Sequence, residues 1–283
     1  MVAFSGWSLL GEIGNTVRSQ GINIILNLFF GPVVNAARGV AAQVLNAVNQ
    51  FITNFQTSFR PQLTKSYASG DYDYLSKLYY SATKISYYLL FTLSLPIMLE
   101  ISYILRIWLG DNVPENTGIF TRLVMLTAFI STFANPTSCI IQATGNMKRF
   151  SITVAIGNVF ILVVAWVFLK FGYGPVSTLV ISLIMTGFIQ LARVVILSKI
   201  SVLSISEYLK NVGLPSILFS ISAPIIPVLV HMAIPQGFLR FLIVGFLSII
   251  TCVFSAWFVG LNNFEKVFVK SKIDLIINKV RRQ

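Results

Sequence analysis

The sequence predicts an all-α integral membrane protein with about eight transmembrane helices. Three observations predict it. Of 283 residues, 55% are hydrophobic and only 11% are charged, whereas a soluble domain carries roughly 25% charged residues. The mean hydropathy is +0.80. The apolar residues also fall in long runs, near the ~20 residues that cross ~30 Å of hydrocarbon as a helix. Lipid offers backbone groups no partners, so each run must satisfy its own hydrogen bonds, as helices do. This composition excludes an ordinary soluble globule and a disordered chain.

The spans are placed at 4–30, 33–59, 83–107, 118–143, 150–170, 175–198, 213–234 and 238–262. Gly31-Pro32, Gly172-Tyr-Gly-Pro175 and Pro235-Gln-Gly237 read as tight turns between them. The start shows no basic n-region, and Glu12, Asn15 and Arg18 interrupt the following stretch, so no cleavable signal is read. Opening abruptly on a span is what a piece of a longer chain would do. Segments 72–82 and 201–212 are too polar to span. Residues 1–262 form the transmembrane domain and 263–283 a basic tail. There Phe264, Val267, Phe268, Ile273, Ile276, Ile277 and Val280 alternate with lysines, as in a helix lying on a membrane surface.

Charge sets the orientation. The chain has 21 Lys and Arg against nine Asp and Glu, a net +12. Arg60, Lys65, Lys77, Lys84, Lys148, Arg149, Lys199 and Lys210 flank alternate connections, and Lys266, Lys270, Lys272, Lys279, Arg281 and Arg282 lie in the tail. The opposite connections have only Arg106, Arg122, Lys170 and Arg240 near them. By the positive-inside rule both termini are cytoplasmic. The basic excess therefore points to membrane lipids as partners, not to nucleic acid. Cys139 and Cys252 lie in apolar runs, giving neither a disulfide framework nor a metal site. No nucleotide loop, zinc motif or cofactor signature is present, and Asp111 and Glu115 in a short connection read as solvated charges. The chain reads as a non-enzyme.

The first two spans carry the chemistry. Projected at 100° per residue, Asn35, Arg38, Gln43, Asn46, Asn49, Gln50, Thr53, Asn54, Gln56 and Thr57 of the second span share roughly a 160° arc. Amides in hydrocarbon need partners. Either a wet cavity or dense interhelical hydrogen bonding supplies them, and ten groups on one face favour the cavity. In the first span Ser8, Glu12, Asn15, Thr16, Ser19, Gln20, Asn23 and Asn27 share an arc of about 140°, with Arg18 about 60° outside it. Gly11, Gly14 and Gly21 permit bending or close packing. Glu12 and Arg18 are six residues apart and point to different faces. Counted along the helices, Arg38 lies about 31 Å from the inner end and Glu12 about 12 Å, too far apart to bridge. Glu100, at about 25 Å and just after the kink-prone Pro96, is the candidate counter-ion. A charge at mid-membrane is a functional hypothesis by default. A buried Arg–Glu structural pair is the competing explanation. Arg193 is expected to snorkel to lipid phosphates, the lone His231 is a poor ligand or base, Asn158 packs, and Asn135-Pro136-Thr137 marks a hinge or cavity wall.

Several motifs carry a family resemblance. The run Gly21–Ala41 (GINIILNLFFGPVVNAARGVA), followed by Asn49–Thr57 (NQFITNFQT), resembles the oligosaccharide-lipid flippases of polysaccharide and O-antigen synthesis. These belong to the multidrug/oligosaccharidyl-lipid/polysaccharide exporter superfamily. Pro61–Asp71 (PQLTKSYASGD) is similar to the loop after the second polar helix. Arg106–Gly110 (RIWLG) is similar to the end of the family's next helix, and Gln142–Asn146 (QATGN) resembles a later family turn. The matches cover residues 4 to about 150; beyond them the likeness is one of hydropathy and span number.

The resemblance implies two six-helix lobes around a central cavity and alternating access at a bacterial inner membrane. The chain corresponds to the second lobe and the helices after it, with about six N-terminal spans of the pattern missing. That implies a partial chain, or one that pairs with a second copy or another partner. The substrate implied is a polyprenyl-diphosphate-linked oligosaccharide moved from the cytoplasmic to the periplasmic face. Arg38 and Arg18 would compensate the diphosphate, and Asn35, Asn46, Asn49, Gln50 and Asn54 would meet sugar hydroxyls. Glu12 and Glu100 are the candidates for counter-ion or coupling roles. The alternatives are a truncated, non-transporting half of such a flippase and a multidrug or cation exporter. The cation exporter would favour acidic residues in its cavity.

Overall fold

A computed structural model describes residues 2–267 and residue 270. Among them every regular element is helical: α1 (Val2–Phe30), α2 (Pro32–Ala68), α3 (Tyr72–Leu109), α4 (Thr117–Ser131), α5 (Ala134–Thr144), α6 (Lys148–Lys170), α7 (Val176–Ile200), α8 (Ile205–Tyr208), α9 (Leu214–Ser222), α10 (Ile225–Ala233) and α11 (Phe238–Ser255). π-Helical turns follow at Leu209–Gly213 and Ala256–Gly260. The all-α membrane class is as expected. The surface helix expected in the tail falls largely outside the described residues.

Six helical segments are long and apolar enough to cross a membrane: Tyr72–Leu109, Thr117–Thr144, Lys148–Lys170, Val176–Ile200, Ile205–Ala233 and Phe238–Gly260. The other two of the eight expected spans are α1 and α2, whose amides and charges lower their hydropathy although each is long enough. Several boundaries also move. α2 continues from the expected end at 59 to Ala68, and α3 begins at Tyr72. At 38 residues α3 is about 57 Å long, so it reaches well beyond a ~30 Å hydrocarbon layer.

Two spans are broken. The break between α4 and α5 falls at Thr132 and Phe133, one turn before Pro136, which has no backbone N–H to give to a continuous helix. Ala223 and Pro224 separate α9 from α10 for the same reason. In α3 the dihedrals leave the helical region at Glu100 (φ −101°, ψ 19°), four residues after Pro96. The reversal between α1 and α2 takes a single residue. Gly31 sits at φ +78°, a region that side chains disfavour, and Pro32 opens the next helix where its missing N–H costs nothing.

α1 lies along α6 because Gly14 leaves room for the backbone of Ala155: a Cβ there would stand 2.7 Å from Ala155 Cα. Gly21 stands over Leu162 in the same seam, whereas Gly11 faces open space. α3 is the central post. Its Tyr87 stacks on Phe133 at 5.0 Å, Phe91 on Phe129 at 5.1 Å, and Tyr88 meets Phe219 at 4.3 Å between ring centroids. These contacts join α3 to α4 and α9 by dispersion, the main attraction left where lipid removes the hydrophobic drive between helices. Exposed Ile156, Phe160, Phe188, Leu191, Phe246 and Phe254 form the lipid-facing exterior.

Arg60, Lys65, Lys148, Arg149 and Lys199 mark one end of the bundle as its basic end. Here a buried ion pair ties the start of the tail to α3. Lys84 Nζ lies 2.8 Å from Glu265 Oε2, both side chains at most 2% exposed. Ser81 donates to Glu265 Oε1, and Lys84 and Tyr88 both donate to the Gly260 carbonyl. Asn262 and Glu265 exchange backbone-to-side-chain bonds at 2.9 and 2.8 Å, a capping box that starts the last described turn. Lys84 is therefore a neutralised structural cation and contributes little to the charge asymmetry.

Candidate functional site

α2 divides into two faces. Val48 and Ile52 are buried toward α3, while Asn46, Gln50 and Asn54 are exposed and Asn35, Arg38 and Asn49 are half-buried. The rest of the chain packs against the apolar side and leaves most of the polar arc uncovered. Gln56 is the exception. It is buried, its Nε2 donates to the Thr132 carbonyl at 3.0 Å, and its Oε1 accepts from Asn135 Nδ2 at 2.8 Å. The amide thus fills the α4–α5 break and satisfies a carbonyl the break sets free. For this residue interhelical hydrogen bonding is the correct explanation, and Asn135 belongs to that repair.

α1 meets the neighbouring helices through polar side chains set at successive depths. Asn158 of α6 donates to Asn15 Oδ1 at 2.9 Å, so this single polar residue does pack against another helix. Arg18 donates to Thr186 Oγ1 of α7 at 3.3 Å. Arg38 of α2 donates to Asn23 Oδ1 and, at 3.3 Å, to the Ser19 carbonyl. The Oδ1 of Asn35 is buried without a partner.

Toward the basic end, α1, α2 and α4 to α7 line a polar cleft of about 650 Å³, whose lining includes Glu12, Asn15, Arg60, Asn135, Gln142 and Arg193. Arg60 Nη2 donates to Gln142 Oε1 at 3.2 Å. Arg193 does not snorkel to the lipid surface as its position suggests. It turns inward, with its guanidinium 5.9 Å from the Phe150 ring centroid and its Nε meeting no acceptor. Sequence spacing does not bring Arg193 and Arg60 to the site, because the ends of α2 and α7 meet across α1, α5 and α6 only in the folded bundle.

The expected pairing of Glu100 with Arg38 is not formed. Glu100 Oε2 lies 2.9 Å from Arg240 Nη2, and its Oε1 lies 2.8 Å from His231 Nδ1. Arg240 also donates to the His231 and Ile234 carbonyls at the end of α10. The reason is placement: α10 and α11 pack on α3 at the end opposite the basic one, while Arg38 faces α1. Glu100 is a structural counter-ion, and His231, for which the sequence suggests no partner, is one of the two groups it meets.

A second hollow of about 690 Å³ lies between α4, α7 and α9, with Phe129, Phe133, Ile184, Phe188 and Ile217 in its wall. It is almost wholly apolar, but Gln190 and Ser216 line it too, and the Gln190 amide and the Ser216 hydroxyl are buried without a hydrogen-bond partner among the described residues. Among the described residues no cluster of His, Cys, Asp and Glu has the geometry to hold a metal ion. No family model, curated protein or solved structure matches the chain. The functional reading therefore rests on the residues and their geometry.

Proposed function

We propose that the chain is a flippase component that moves a polyprenyl-diphosphate-linked oligosaccharide across a bacterial inner membrane, with both termini cytoplasmic. One observation carries the reading. While α6, α7 and α11 expose large apolar side chains, the α2 amides Asn46, Gln50 and Asn54 remain exposed beside the half-buried Arg38, Asn35 and Asn49, and Glu12, Ser19 and Gln20 of α1 are exposed with them. Left against lipid, each such group would cost several kcal/mol (roughly 2–7 by transfer scales). A water-filled passage removes that cost, and a sugar with a diphosphate is a cargo that needs one. Arg38 and Arg18 offer positive charge to the diphosphate, the α2 amides offer hydrogen bonds to sugar hydroxyls, and the lipid chain stays in the bilayer. No bond is broken.

A passage needs a second wall. The uncovered faces of α1 and α2 would meet another helical body, a second lobe or a second copy of the chain, and transport would follow from rocking of the two against each other. Among the described residues lining the cleft Glu12 is the lone carboxylate beside Arg60 and Arg193, which favours an anionic over a cationic cargo. The experiment is translocation of a labelled lipid-linked sugar in vesicles containing the protein with its covering partner. Arg38→Ala should slow translocation at least tenfold while leaving the protein folded. A rate equal to that of the unaltered protein would remove Arg38 from the mechanism.

A further inference from the structure

Arg193, Arg18 and Arg38 form a graded series. Arg193 projects from the basic-end half of α7. Arg18 reaches Thr186, two turns further along the same helix, and Arg38 joins α1 beyond it through Ser19 and Asn23. Thr186, which Arg18 meets, lies seven residues before Arg193 on α7, and Ser19, which Arg38 meets, directly follows Arg18, so the three like charges succeed one another along the bundle. Guanidinium groups do not discharge in proteins. Yet the ion pairs among the described residues join Glu100 to Arg240 and His231, and Glu265 to Lys84. None reaches the series. Arg18, Arg38 and Arg60 have neutral acceptors only, namely Thr186 Oγ1, Asn23 Oδ1 with the Ser19 carbonyl, and Gln142 Oε1, and the Arg193 Nε has no acceptor among the described residues.

Like charges set along a membrane-spanning path raise the energy of the empty protein. A mobile anion that bridges them lowers it, because a guanidinium fork and a phosphate pair bidentately. Glu12 lies in the cleft of Arg60 and Arg193 but forms no ion pair with either, so it stands as a competitor for the same cations.

We infer that Arg193 and Arg60 form an entry station for a phosphate-class anion at the basic end of the cleft, and that Arg18 links this station to Arg38. The inference deepens the flippase reading and rests on it for direction of movement. The station itself is a claim about anion binding alone. A diphosphate leaving Arg193 along α7 would next meet Arg18, which reaches that helix two turns away at Thr186. The Phe150 face under Arg193 holds the guanidinium in place for this exchange.

The test uses the whole chain in nanodiscs of phosphatidylcholine, where no net-anionic lipid competes. Inorganic diphosphate and geranyl diphosphate are titrated separately, with geraniol as the neutral control. The unaltered protein should bind at least one diphosphate and not geraniol. Arg193→Gln should weaken that binding about tenfold, or ~1.4 kcal/mol. Arg193→Lys should recover part of it, and Glu12→Gln should tighten it severalfold by removing the competitor. Arg149→Gln, an exposed cation outside the cleft, should leave it unchanged. Binding of both diphosphates identifies a general phosphate site, and binding of the prenyl form alone identifies a lipid headgroup site; either supports the station. Equal affinities for the unaltered protein and Arg193→Gln, or no diphosphate binding at all, overturn it. Intact binding without translocation in vesicles would defeat the flippase reading and leave the station standing.

Discussion

Glu100→Gln is the substitution whose consequence follows most directly from the structure. The carboxylate is fully buried, accepts from Arg240 at 2.9 Å, and lies 2.8 Å from the His231 ring. Removing one member of a buried ion pair costs about 3–5 kcal/mol. The lower figure applies here. Glutamine keeps one acceptor and nearly the same volume, and Arg240, 11% exposed, retains its bonds to the His231 and Ile234 carbonyls. About 3 kcal/mol corresponds to roughly a 150-fold rise in the opening of whatever the pair holds closed. That element is the α10–α11 hairpin, which places Arg240 and His231 against α3.

The protein contains its own probes of that opening. Cys252 is buried on α11 and Cys139 on α5. In detergent under native conditions, a thiol-reactive fluorophore should label Cys252 of Glu100→Gln on the order of 100-fold faster than in the unaltered protein. Cys139, held by α2 and α5, should keep its rate. Combining Glu100→Leu with Arg240→Met should restore most of the protection, because replacing both charges by apolar groups removes the unpaired ion. An unchanged Cys252 rate, or an equal rise at both thiols, would refute the local role of the triad.

Two further outcomes follow from packing. Gly14→Leu should lower thermal stability by about 1–3 kcal/mol and slow translocation, because the new side chain meets the Ala155 backbone and must push α1 off α6. Gly21→Ala should cost less, since it meets only the movable end of Leu162. Lys84→Met should destabilise the fold by about 3–5 kcal/mol, and adding Glu265→Leu should recover most of that loss, both read as shifts in the unfolding midpoint.

The legible part of this protein was whatever depends on one helix at a time. Composition predicts the helical membrane class, Gly31-Pro32 predicts the α1–α2 reversal, and the 100° projection predicts that Asn46, Gln50 and Asn54 share an open face. What depends on two helices was not legible. Glu100 finds Arg240 and His231 across 140 and 131 residues of sequence. The depth count that suggests Arg38 as its partner has no information on which helices adjoin. Lys84 looks like a loop cation until Glu265 folds back onto it. Arg193, near a helix end, looks free to snorkel until α6 places Phe150 beside it. Gln56 belongs to the polar arc by angle, yet its role is set by a break in another helix. Pro224 sits in a run so apolar that hydropathy conceals the break it causes.

A passage for a polar cargo requires the polar face of α2 to meet water within the membrane. With Cys139 and Cys252 replaced by alanine, single cysteines at Asn46, Gln50 and Asn54 are compared with one at the lipid-facing Ile156, using a charged, membrane-impermeant thiol reagent on the assembled protein in native membranes. Such a passage predicts ready labelling at all three α2 positions and almost none at Ile156. Labelling at Asn46, Gln50 and Asn54 as slow as at Ile156 would contradict it.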